Sequence, residues 1–327
     1  MKYAIIGTGN ISNTYVHAIA ATPGSEVVAC VSRSGRSPSA NPGIPAWPSL
    51  ELVPVDFDAV IVATPNGLHT EGVLAAARLG KHVLTEKPLG IREEEMDRAL
   101  AACEQAGVTL AVAYQRRTAP DNRAIKALLD SGALGKVFAA DLSAKFYRDQ
   151  AYYDSGDYRG GYAIDGGGPF IQQAAHNIDL YVWFFGRPMR VVSMLDTFTH
   201  TMEAEDHGAA LLRYADGMIG TIIASTATRP GTAARLEVHT EKGSFTMTDD
   251  LITAWHFEDL PNPGQGQSAY AHDGATSAVV SDTSAHQLIL ADFERVIREG
   301  GEPIASGRSA RETSSVILEI YGAALGR

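Results

Sequence analysis

A lysine at the end of an apolar run is the first residue of this sequence that could do chemistry. Lys87 stands in Glu86-Lys87-Pro88, directly after the strand-like run His82–Leu84. Ligands of parallel α/β sheets bind outside the carboxyl ends of the strands, so a side chain here is placed to meet a substrate. Pro88 disfavours a helical conformation at Lys87 and so keeps the motif in a loop. The alternative interpretation is a surface lysine in a turn.

A second polar motif follows another apolar run, Ala59–Ala63. It comprises Thr64-Pro65-Asn66-Gly67-Leu68-His69. In a parallel sheet both motifs would lie at the same edge, where cofactors bind. We therefore expect cofactor contacts from Thr64, Pro65, Asn66, His69, Glu86 and Lys87, and from Gln115 after a later strand.

A glycine-rich turn near the start of the chain predicts a dinucleotide site. A strand-like run, Tyr3–Ile6, is separated from a helical pattern by the turn residues Gly7, Thr8, Gly9, Asn10, Ile11 and Ser12. Gly7 permits a tight turn, Gly9 lets the backbone approach a pyrophosphate, and the small Ser12 allows close helix–strand packing. The helix N-terminus then offers N–H donors to the phosphates. A plain glycine turn is the alternative.

The end of the second strand bears on which nicotinamide cofactor binds. NAD sites usually carry an acidic residue there for the ribose hydroxyls, whereas this chain has Ser32, Arg33 and Arg36. These side chains could hold a 2′-phosphate, the arginines through paired N–H donors. The sequence therefore favours NADP over NAD, with two solvated loop arginines as the alternative.

The elements that would position these residues follow from hydrophobic periodicity. Through residue 117, short apolar runs alternate with helical patterns, which predicts βαβ units and a parallel sheet. The proline-rich residues 34–48 cannot sustain a helix and are expected to form an irregular crossover. This first part is predicted to be an α/β Rossmann domain, residues 1–117.

Strands joined by short turns dominate the rest of the chain. Asp216-Gly217 and Lys242-Gly243 lie between strand-like runs and predict hairpins. We also predict a helix over Pro169–Phe185, a surface loop over Glu258–Asp282 and two closing amphipathic helices. Residues 118–327 are therefore predicted to be an α+β C-terminal domain with a mostly antiparallel sheet.

Composition disfavours several classes of function. The net charge of −11 argues against nucleic acid, whose phosphates require a basic surface. No apolar run approaches the ~20 residues that cross a bilayer, and the N-terminus enters a strand with no visible signal peptide. Cys30 and Cys103 are two isolated thiols, which indicates neither a disulfide framework nor a metal site. We expect a cytoplasmic protein with no metal, membrane or nucleic-acid partner.

The motifs, taken in order and spacing, resemble one known family, the glucose–fructose oxidoreductase/inositol dehydrogenase (Gfo/Idh/MocA) oxidoreductases. The resemblance covers essentially the whole chain and rests on the glycine turn, Thr64-Pro65-Asn66-x-x-His69, Glu86-Lys87-Pro88, Gly166-Gly167-Gly168, His176-Asn177-Ile178-Asp179 and the closing Gly307–Tyr321 helix. It implies that Lys87 is the catalytic lysine, that His176 is the active-site histidine and that Asp179 contacts the substrate.

The resemblance also implies a reaction: NAD(P)-dependent hydride transfer at a carbinol or carbonyl carbon of a sugar, sugar derivative or polyol. Many members carry an aspartate four residues before the histidine, where this chain has Gln172. Positions i and i+4 share a helix face, so Gln172 and His176 are expected to point into one cleft. Because glutamine cannot titrate, proton transfer is left to Lys87 and His176.

An aromatic segment before the glycine triplet suits a sugar ring. Tyr152, Tyr158 and Arg159 lie in the segment Tyr152–Gly160, which resembles the family's aromatic-Arg-Gly segment. Packing of these tyrosines on their own domain is the alternative. Because the family is commonly dimeric or tetrameric, we expect a homodimer or homotetramer through the C-terminal sheet.

Three other functions are compatible with the sequence. A cofactor-retaining, NAD-dependent glycoside hydrolase would release a free sugar without net change in the cofactor. A non-catalytic, nicotinamide-sensing regulator would be expected to lack the lysine and the histidine. A reductase of xenobiotic diols or tetrapyrroles on the same scaffold would be distinguished by a substrate screen.

Overall fold

The computed structural model describes residues 1–266 and 282–326. Contacts between residues divide the chain into two compact units. The first consists of Met1–Gln115 and Val280–Arg311, and the second of Arg116–Val279 and Glu312–Arg327. The sequence division at residue 117 differs from this one, since it assigns all of the later chain to the second domain.

Six parallel strands form the sheet of the first unit, in the order β3-β2-β1-β4-β5-β6. The strands are β1 (Lys2–Ile6), β2 (Glu26–Val31), β3 (Ala46–Trp47), β4 (Ala59–Val62), β5 (His82–Thr85) and β6 (Leu110–Val112). Tyr3, Ala4 and Ile5 are fully buried, as are all four residues of β4, which is typical of parallel strands covered on both faces. The predicted Rossmann-type sheet is confirmed.

Four α-helices of the described residues lie wholly in this unit: α1 (Asn10–Ala20), α2 (His69–Arg78), α3 (Glu93–Ala106) and, much later in the chain, α7 (Ser284–Glu299). Helix α3 has three glutamates in its first turn, where the helix dipole stabilises negative charge. It ends at Gly107, whose φ of 65° suits a residue without a Cβ. The proline-rich crossover contains turns and β3 but no helix, as predicted.

Helix α7 explains why the two units are discontinuous in sequence. Its His286 ring packs edge-on against Tyr15 of α1, with 5.3 Å between ring centroids. Its Glu294 carboxylate accepts a hydrogen bond from the Tyr3 hydroxyl of β1 at 2.9 Å. An amphipathic pattern predicts that this helix exists, but it does not say which sheet the helix covers.

Seven strands form the sheet of the second unit, in the order β13-β12-β11-β7-β10-β9-β8. They are β7 (Val137–Lys145), β8 (Arg190–Asp196), β9 (His207–Arg213), β10 (Ile219–Ser225), β11 (Arg235–Thr240), β12 (Gly243–Thr248) and β13 (Leu251–Phe257). Among the strands that the structure describes in this sheet, only the β7–β10 pair is parallel, so the predicted mostly antiparallel sheet and both hairpins are confirmed. Strand β13 was not predicted; it follows a turn at Asp249, whose φ is 51°.

The second unit also contains α4 (Pro120–Asp130), α5 (Gln150–Asp154) and α6 (Ala175–Phe185), and it includes most of α8 (Gly307–Leu325). The predicted helix over Pro169–Phe185 is wrong at its start, because residues 166–174 form turns. Most of the predicted surface loop, residues 267–281, lies outside the described residues. In the described ranges, no helix has the length and apolar character needed to span a membrane.

Candidate active site

The first turn of the chain has the backbone geometry that a dinucleotide requires. Gly7 has a φ of 96°, and a Cβ there would lie 2.4 Å from the Ala63 carbonyl oxygen, so only glycine fits. Gly9 is the N-cap of α1, and a Cβ built on it would have no neighbour within 4 Å. No side chain caps the helix there, so no side-chain acceptor competes with a phosphate for its first N–H groups. Asn10 and Ile11 open the helix.

Ser12 takes the third position of the glycine motif in the expected way. It is fully buried, and its hydroxyl donates to the Gly9 carbonyl at 2.6 Å. The small side chain therefore permits close packing of α1 and also ties the turn to the helix. The open N-terminus of α1 remains the natural position for a phosphate.

The end of β2 carries hydroxyl and guanidinium groups and no carboxylate. The Ser32 hydroxyl lies 3.0 Å from that of Ser34 and 3.4 Å from that of Thr8. Arg33 and Arg36 are exposed, and neither has an ion-pair partner in the part of the chain that the structure describes. This edge therefore presents two uncompensated positive charges beside a cluster of hydroxyls.

All of the expected cofactor residues follow the carboxyl ends of parallel strands in one sheet. Gly7 follows β1, Ser32 follows β2, Thr64 follows β4, Glu86 follows β5 and Gln115 follows β6. Adjacent parallel strands end at the same edge, so the first unit brings these residues to one side.

His69 holds two of these loops together and does not face solvent. Its ring nitrogens lie 2.7 Å from the Pro88 carbonyl oxygen and 2.8 Å from that of Thr64. The side chain is fully buried, and burial lowers the pKa of the imidazole. Direct contact of His69 with a cofactor stays a prediction; in the structure its side chain fixes the loop after β4 against the loop that carries Lys87.

Glu86 is also directed into the protein. Its Oε1 accepts a hydrogen bond from the Tyr15 hydroxyl at 2.7 Å, and its Oε2 accepts from the Lys87 backbone N–H at 3.2 Å. Lys87 itself is half-buried and precedes a cis peptide bond to Pro88. The backbone around Lys87 is thus held from both sides, by Glu86 and by His69.

A nicotinamide dinucleotide fits the residues of this unit. Gly9 leaves open space at the N-terminus of α1. The Thr64 hydroxyl is buried and has no hydrogen-bond partner in the described part of the chain, which is unusual for a native structure. Asn66 begins a short 3₁₀ turn beside it, after Pro65. An orphaned polar atom at the ligand edge of the sheet is consistent with a partner supplied by a cofactor.

In the second unit, two glycines of the triplet, Gly167 and Gly168, pack too closely for any other residue. A Cβ on Gly167 would lie 2.2 Å from the Tyr321 hydroxyl, and one on Gly168 would lie 1.9 Å from the Glu205 carbonyl oxygen. The Glu205 carboxylate accepts hydrogen bonds from the Gly168 N–H at 3.1 Å and the Tyr321 hydroxyl at 2.8 Å. This packing forms the turns that precede α6 and delay its start.

His176 is the second residue of α6 and is half-buried. Gln172 lies before the helix, in the turns, so the argument from a shared helix face does not hold for this pair. Its side-chain amide donates to the Asp165 carbonyl oxygen at 3.0 Å. Gln172 therefore ties the segment before the helix to the loop at Asp165.

The aromatic segment forms one cluster of polar and aromatic groups. The Arg159 guanidinium lies 4.6 Å from the Tyr152 ring centroid and donates to the Tyr152 hydroxyl at 3.0 Å. The same hydroxyl accepts from the Gln173 amide at 3.1 Å, and the Tyr158 ring lies 5.5 Å from the guanidinium. Because Gln173 is three residues before His176, this cluster adjoins the histidine along the chain.

Asp179 lies inside the second unit and is saturated by protein groups. Its carboxylate accepts two hydrogen bonds from Arg117, at 2.8 and 2.6 Å, and one from the Thr313 hydroxyl at 2.8 Å. Both charged side chains are only 1% exposed. The contact with substrate stays a prediction, and in the structure the carboxylate has a structural role, because Arg117 and Thr313 donate to it.

Two positioning residues were not anticipated from the sequence. These are Tyr15, which lies in no sequence motif beyond the glycine turn, and Glu205, which lies in none at all. Burial raises the pKa of Glu205 to about 7, although hydrogen bonds from Tyr321, Gly168 and Phe170 favour the charged form. Glu205 stands between Ala204 and Asp206, directly before β9, and nothing in its sequence neighbourhood distinguishes it from the other acidic residues there.

Comparison with known proteins places the chain in a family. A model of the oxidoreductase family with an NAD-binding Rossmann fold matches residues 1–114, and a model of the GFO/IDH/MocA C-terminal domain matches residues 122–246. An uncharacterized oxidoreductase of Schizosaccharomyces pombe is 30% identical over 261 residues, which are 75% of this chain and 70% of the relative. The 1,5-anhydro-D-fructose reductase of Ensifer adhaerens is 26% identical over 99% of this chain and 96% of its own.

A solved structure agrees with these sequence matches. The WlbA dehydrogenase from Bordetella pertussis, in complex with NADH and UDP-GlcNAcA, superposes with a TM-score of 0.85 at 28% identity, covering 99% of this chain and 96% of that one. Family models, relatives and fold therefore agree with the motifs found in the sequence. The chain belongs to the Gfo/Idh/MocA family of oxidoreductases, and its first unit is an NAD-binding Rossmann domain.

Proposed function

We propose that the protein transfers a hydride between a nicotinamide cofactor and a carbinol or carbonyl carbon of a sugar-type substrate. The observation that carries the proposal is the position of Lys87. It follows β5 at the sheet edge that also presents the open glycine turn of α1, and Glu86 and His69 hold its backbone there. An ammonium group so placed can approach a substrate oxygen near the reactive ring of the cofactor.

The bound nicotinamide would supply or accept the hydride. Lys87 would orient the substrate oxygen and stabilise the negative charge that develops on it. The imidazole of His176 would remove the hydroxyl proton during oxidation and return it during reduction, a role that suits imidazole near neutral pH. Gln172 can position a hydroxyl but cannot share the proton.

The substrate class is proposed from the second unit. Tyr152, Tyr158 and Arg159 combine flat apolar faces with hydrogen-bond donors, which suits a sugar ring bearing polar or charged substituents. The Bordetella relative was solved with a nucleotide-linked sugar acid, which supports testing such substrates first.

NADP is the proposed preference over NAD. Arg33 and Arg36 lack acidic partners in the described residues, and Ser32 stands where an NAD site usually has a carboxylate. A 2′-phosphate would satisfy both guanidinium groups.

A cytoplasmic homo-oligomer is proposed with this function. Both cysteines are free and buried, which suits a reducing compartment. The outward face of the second unit's sheet exposes four large apolar side chains, which a second copy would cover: Val192, Met194, Leu211 and Ile219.

The test is a turnover assay with NADP or NAD and a panel of polyols, sugars, sugar acids and nucleotide-linked sugars, read by nicotinamide absorbance. We expect Lys87→Ala to lower turnover by about a hundredfold or more while cofactor binding persists. Turnover near the wild-type rate in this variant would refute the assignment. Release of free sugar without net cofactor change would instead identify a glycoside hydrolase.

A further inference from the structure

We propose that Tyr15, Glu86 and His286 form a buried network that positions Lys87 and couples it to the dinucleotide-binding helix. The inference rests on the proposed function, because Lys87 must act on the substrate for its position to matter. The three residues come from α1, from the end of β5 and from α7, all within the first unit.

The Tyr15–Glu86 contact fixes the residue next to Lys87. Tyr15 is fully buried, and its hydroxyl donates to Glu86 Oε1 at 2.7 Å. The other oxygen, Oε2, accepts the Lys87 backbone N–H at 3.2 Å. Since one carboxylate accepts from both groups, loss of the Tyr15 hydrogen bond is expected to shift the Lys87 backbone. Hydrogen bonds that a carboxylate accepts are among the stronger ones in proteins.

His286 packs against the hydrogen-bonded pair of Tyr15 and Glu86. Its ring meets Tyr15 edge to face, and its Nε2 lies 4.0 Å from Glu86 Oε1. The side chain is 2% exposed, and its Nδ1 has no hydrogen-bond partner in the described part of the chain. Burial lowers the pKa of His286, against the nearby charges of Glu86 and Asp282. A neutral ring leaves Oε1 to the Tyr15 hydroxyl.

The network joins two functional parts of the first unit. Tyr15 lies on α1, the helix whose open N-terminus is placed to bind phosphate, and Glu86 precedes Lys87 directly. His286 comes from α7, far along the chain from both. In this arrangement the three residues are positioning residues, which act through the Lys87 backbone and do not touch the substrate.

The chain offers a matched control in the same unit. Tyr3 of β1 is also fully buried, and its hydroxyl donates to Glu294 of the same helix α7 at 2.9 Å. Tyr3 lies near the amino end of β1, away from the carboxyl ends where the cofactor residues stand. Tyr3→Phe and Tyr15→Phe therefore remove the same chemical contact, and only the second one leads to Lys87.

The experiment compares these variants in the full chain by thermal unfolding, cofactor Kd and steady-state kinetics. Both Tyr→Phe variants are expected to lose stability. Only Tyr15→Phe is expected to lower kcat, by about tenfold or more, with the cofactor Kd within about twofold of wild type. Equal kcat in the two variants would overturn the inference.

A second variant covers the case in which Tyr15→Phe does not fold. His286→Gln removes the aromatic edge while keeping a neutral polar side chain, and it is expected to lower kcat by about threefold or more. An unchanged kcat in folded His286→Gln would overturn the inference. Lys87→Ala, measured in parallel, distinguishes failure of the proposed function from failure of the network. Retained turnover in Lys87→Ala refutes the proposed function itself. Loss of turnover in Lys87→Ala, together with a normal kcat in His286→Gln and Tyr15→Phe, refutes the network alone.

Discussion

Several polar side chains of this protein hold loops in place and are not free to meet a ligand. His69 joins the Thr64 and Pro88 carbonyls, Glu86 joins Tyr15 to the Lys87 backbone, and Asp179 is enclosed by protein donors. The sequence identified these residues as important but assigned each a ligand. Residue type and spacing indicate a site, whereas they do not show which buried partners a side chain has.

Asp179 gives the most direct test of this distinction. Asp179→Asn leaves the Arg117 guanidinium buried without its counter-charge, which is expected to lower the free energy of unfolding by about 3–5 kcal/mol. Denaturant unfolding measures this loss. Asp97→Asn serves as the control, because Asp97 pairs with Arg311 at the surface and its substitution is expected to have little effect on stability. A large rise in the substrate KM with unchanged stability would show that Asp179 contacts the substrate after all.

Ser32 tests the cofactor preference. Ser32→Asp places a carboxylate at the end of β2, where it would repel a 2′-phosphate and accept hydrogen bonds from ribose hydroxyls. We expect the Kd for NADP to rise by about tenfold or more and the Kd for NAD to fall. Ser32→Asn, of similar size but neutral, serves as the control. Tighter binding of NAD than NADP by the wild-type chain would refute the preference.

The elements of the fold were largely predictable, and their exceptions have local causes. Periodicity located the Rossmann strands, and Asp216-Gly217 located a hairpin, because these signals reside in short stretches of sequence. The start of α6 was missed because the Glu205 carboxylate, distant in sequence, holds the glycine triplet in turns. The packing of α7 on the first unit was missed for a similar reason, since it depends on contacts with Tyr3 and Tyr15.

Gly167 tests how the turns before α6 are held. Gly167→Ala would place a Cβ 2.2 Å from the Tyr321 hydroxyl, at a φ of 145° that L side chains rarely adopt. We expect a loss of about 2–4 kcal/mol from overpacking and strain together. Gly24→Ala, with a φ of 77° but no atom within 4 Å of the new Cβ, should lose only about 1 kcal/mol. Equal losses of unfolding free energy in the two variants would show that the Tyr321 side chain moves aside to make room for the new methyl group.

At the scale of the whole molecule, one buried acid should shape the dependence of stability on pH. Burial raises the pKa of Glu205 from 4.5 to about 7. The folded chain therefore keeps this proton up to about pH 7, while the unfolded chain releases it near pH 4.5. The stability that this proton contributes is fully present at low pH and is lost as the pH rises through that window, a change of about 3 kcal/mol.

Glu205→Gln removes this titration and so provides the measurement. The difference in melting temperature between the variant and the wild type, followed from pH 4.5 to pH 8, should shift in favour of the variant as the pH rises. A difference that stays constant with pH would mean that Glu205 remains charged throughout, stabilised by the Gly168, Phe170 and Tyr321 donors.

The central proposal is that Lys87 and His176 serve one chemical step. Steady-state kinetics of Lys87→Ala, His176→Ala and the double variant test it most directly, on a substrate found in the panel. Residues that act on one transition state lose activity non-additively, so we expect the double variant to be about as slow as the slower single variant, with cofactor binding retained. Near wild-type kcat in either single variant, or fully multiplicative losses, would contradict the account.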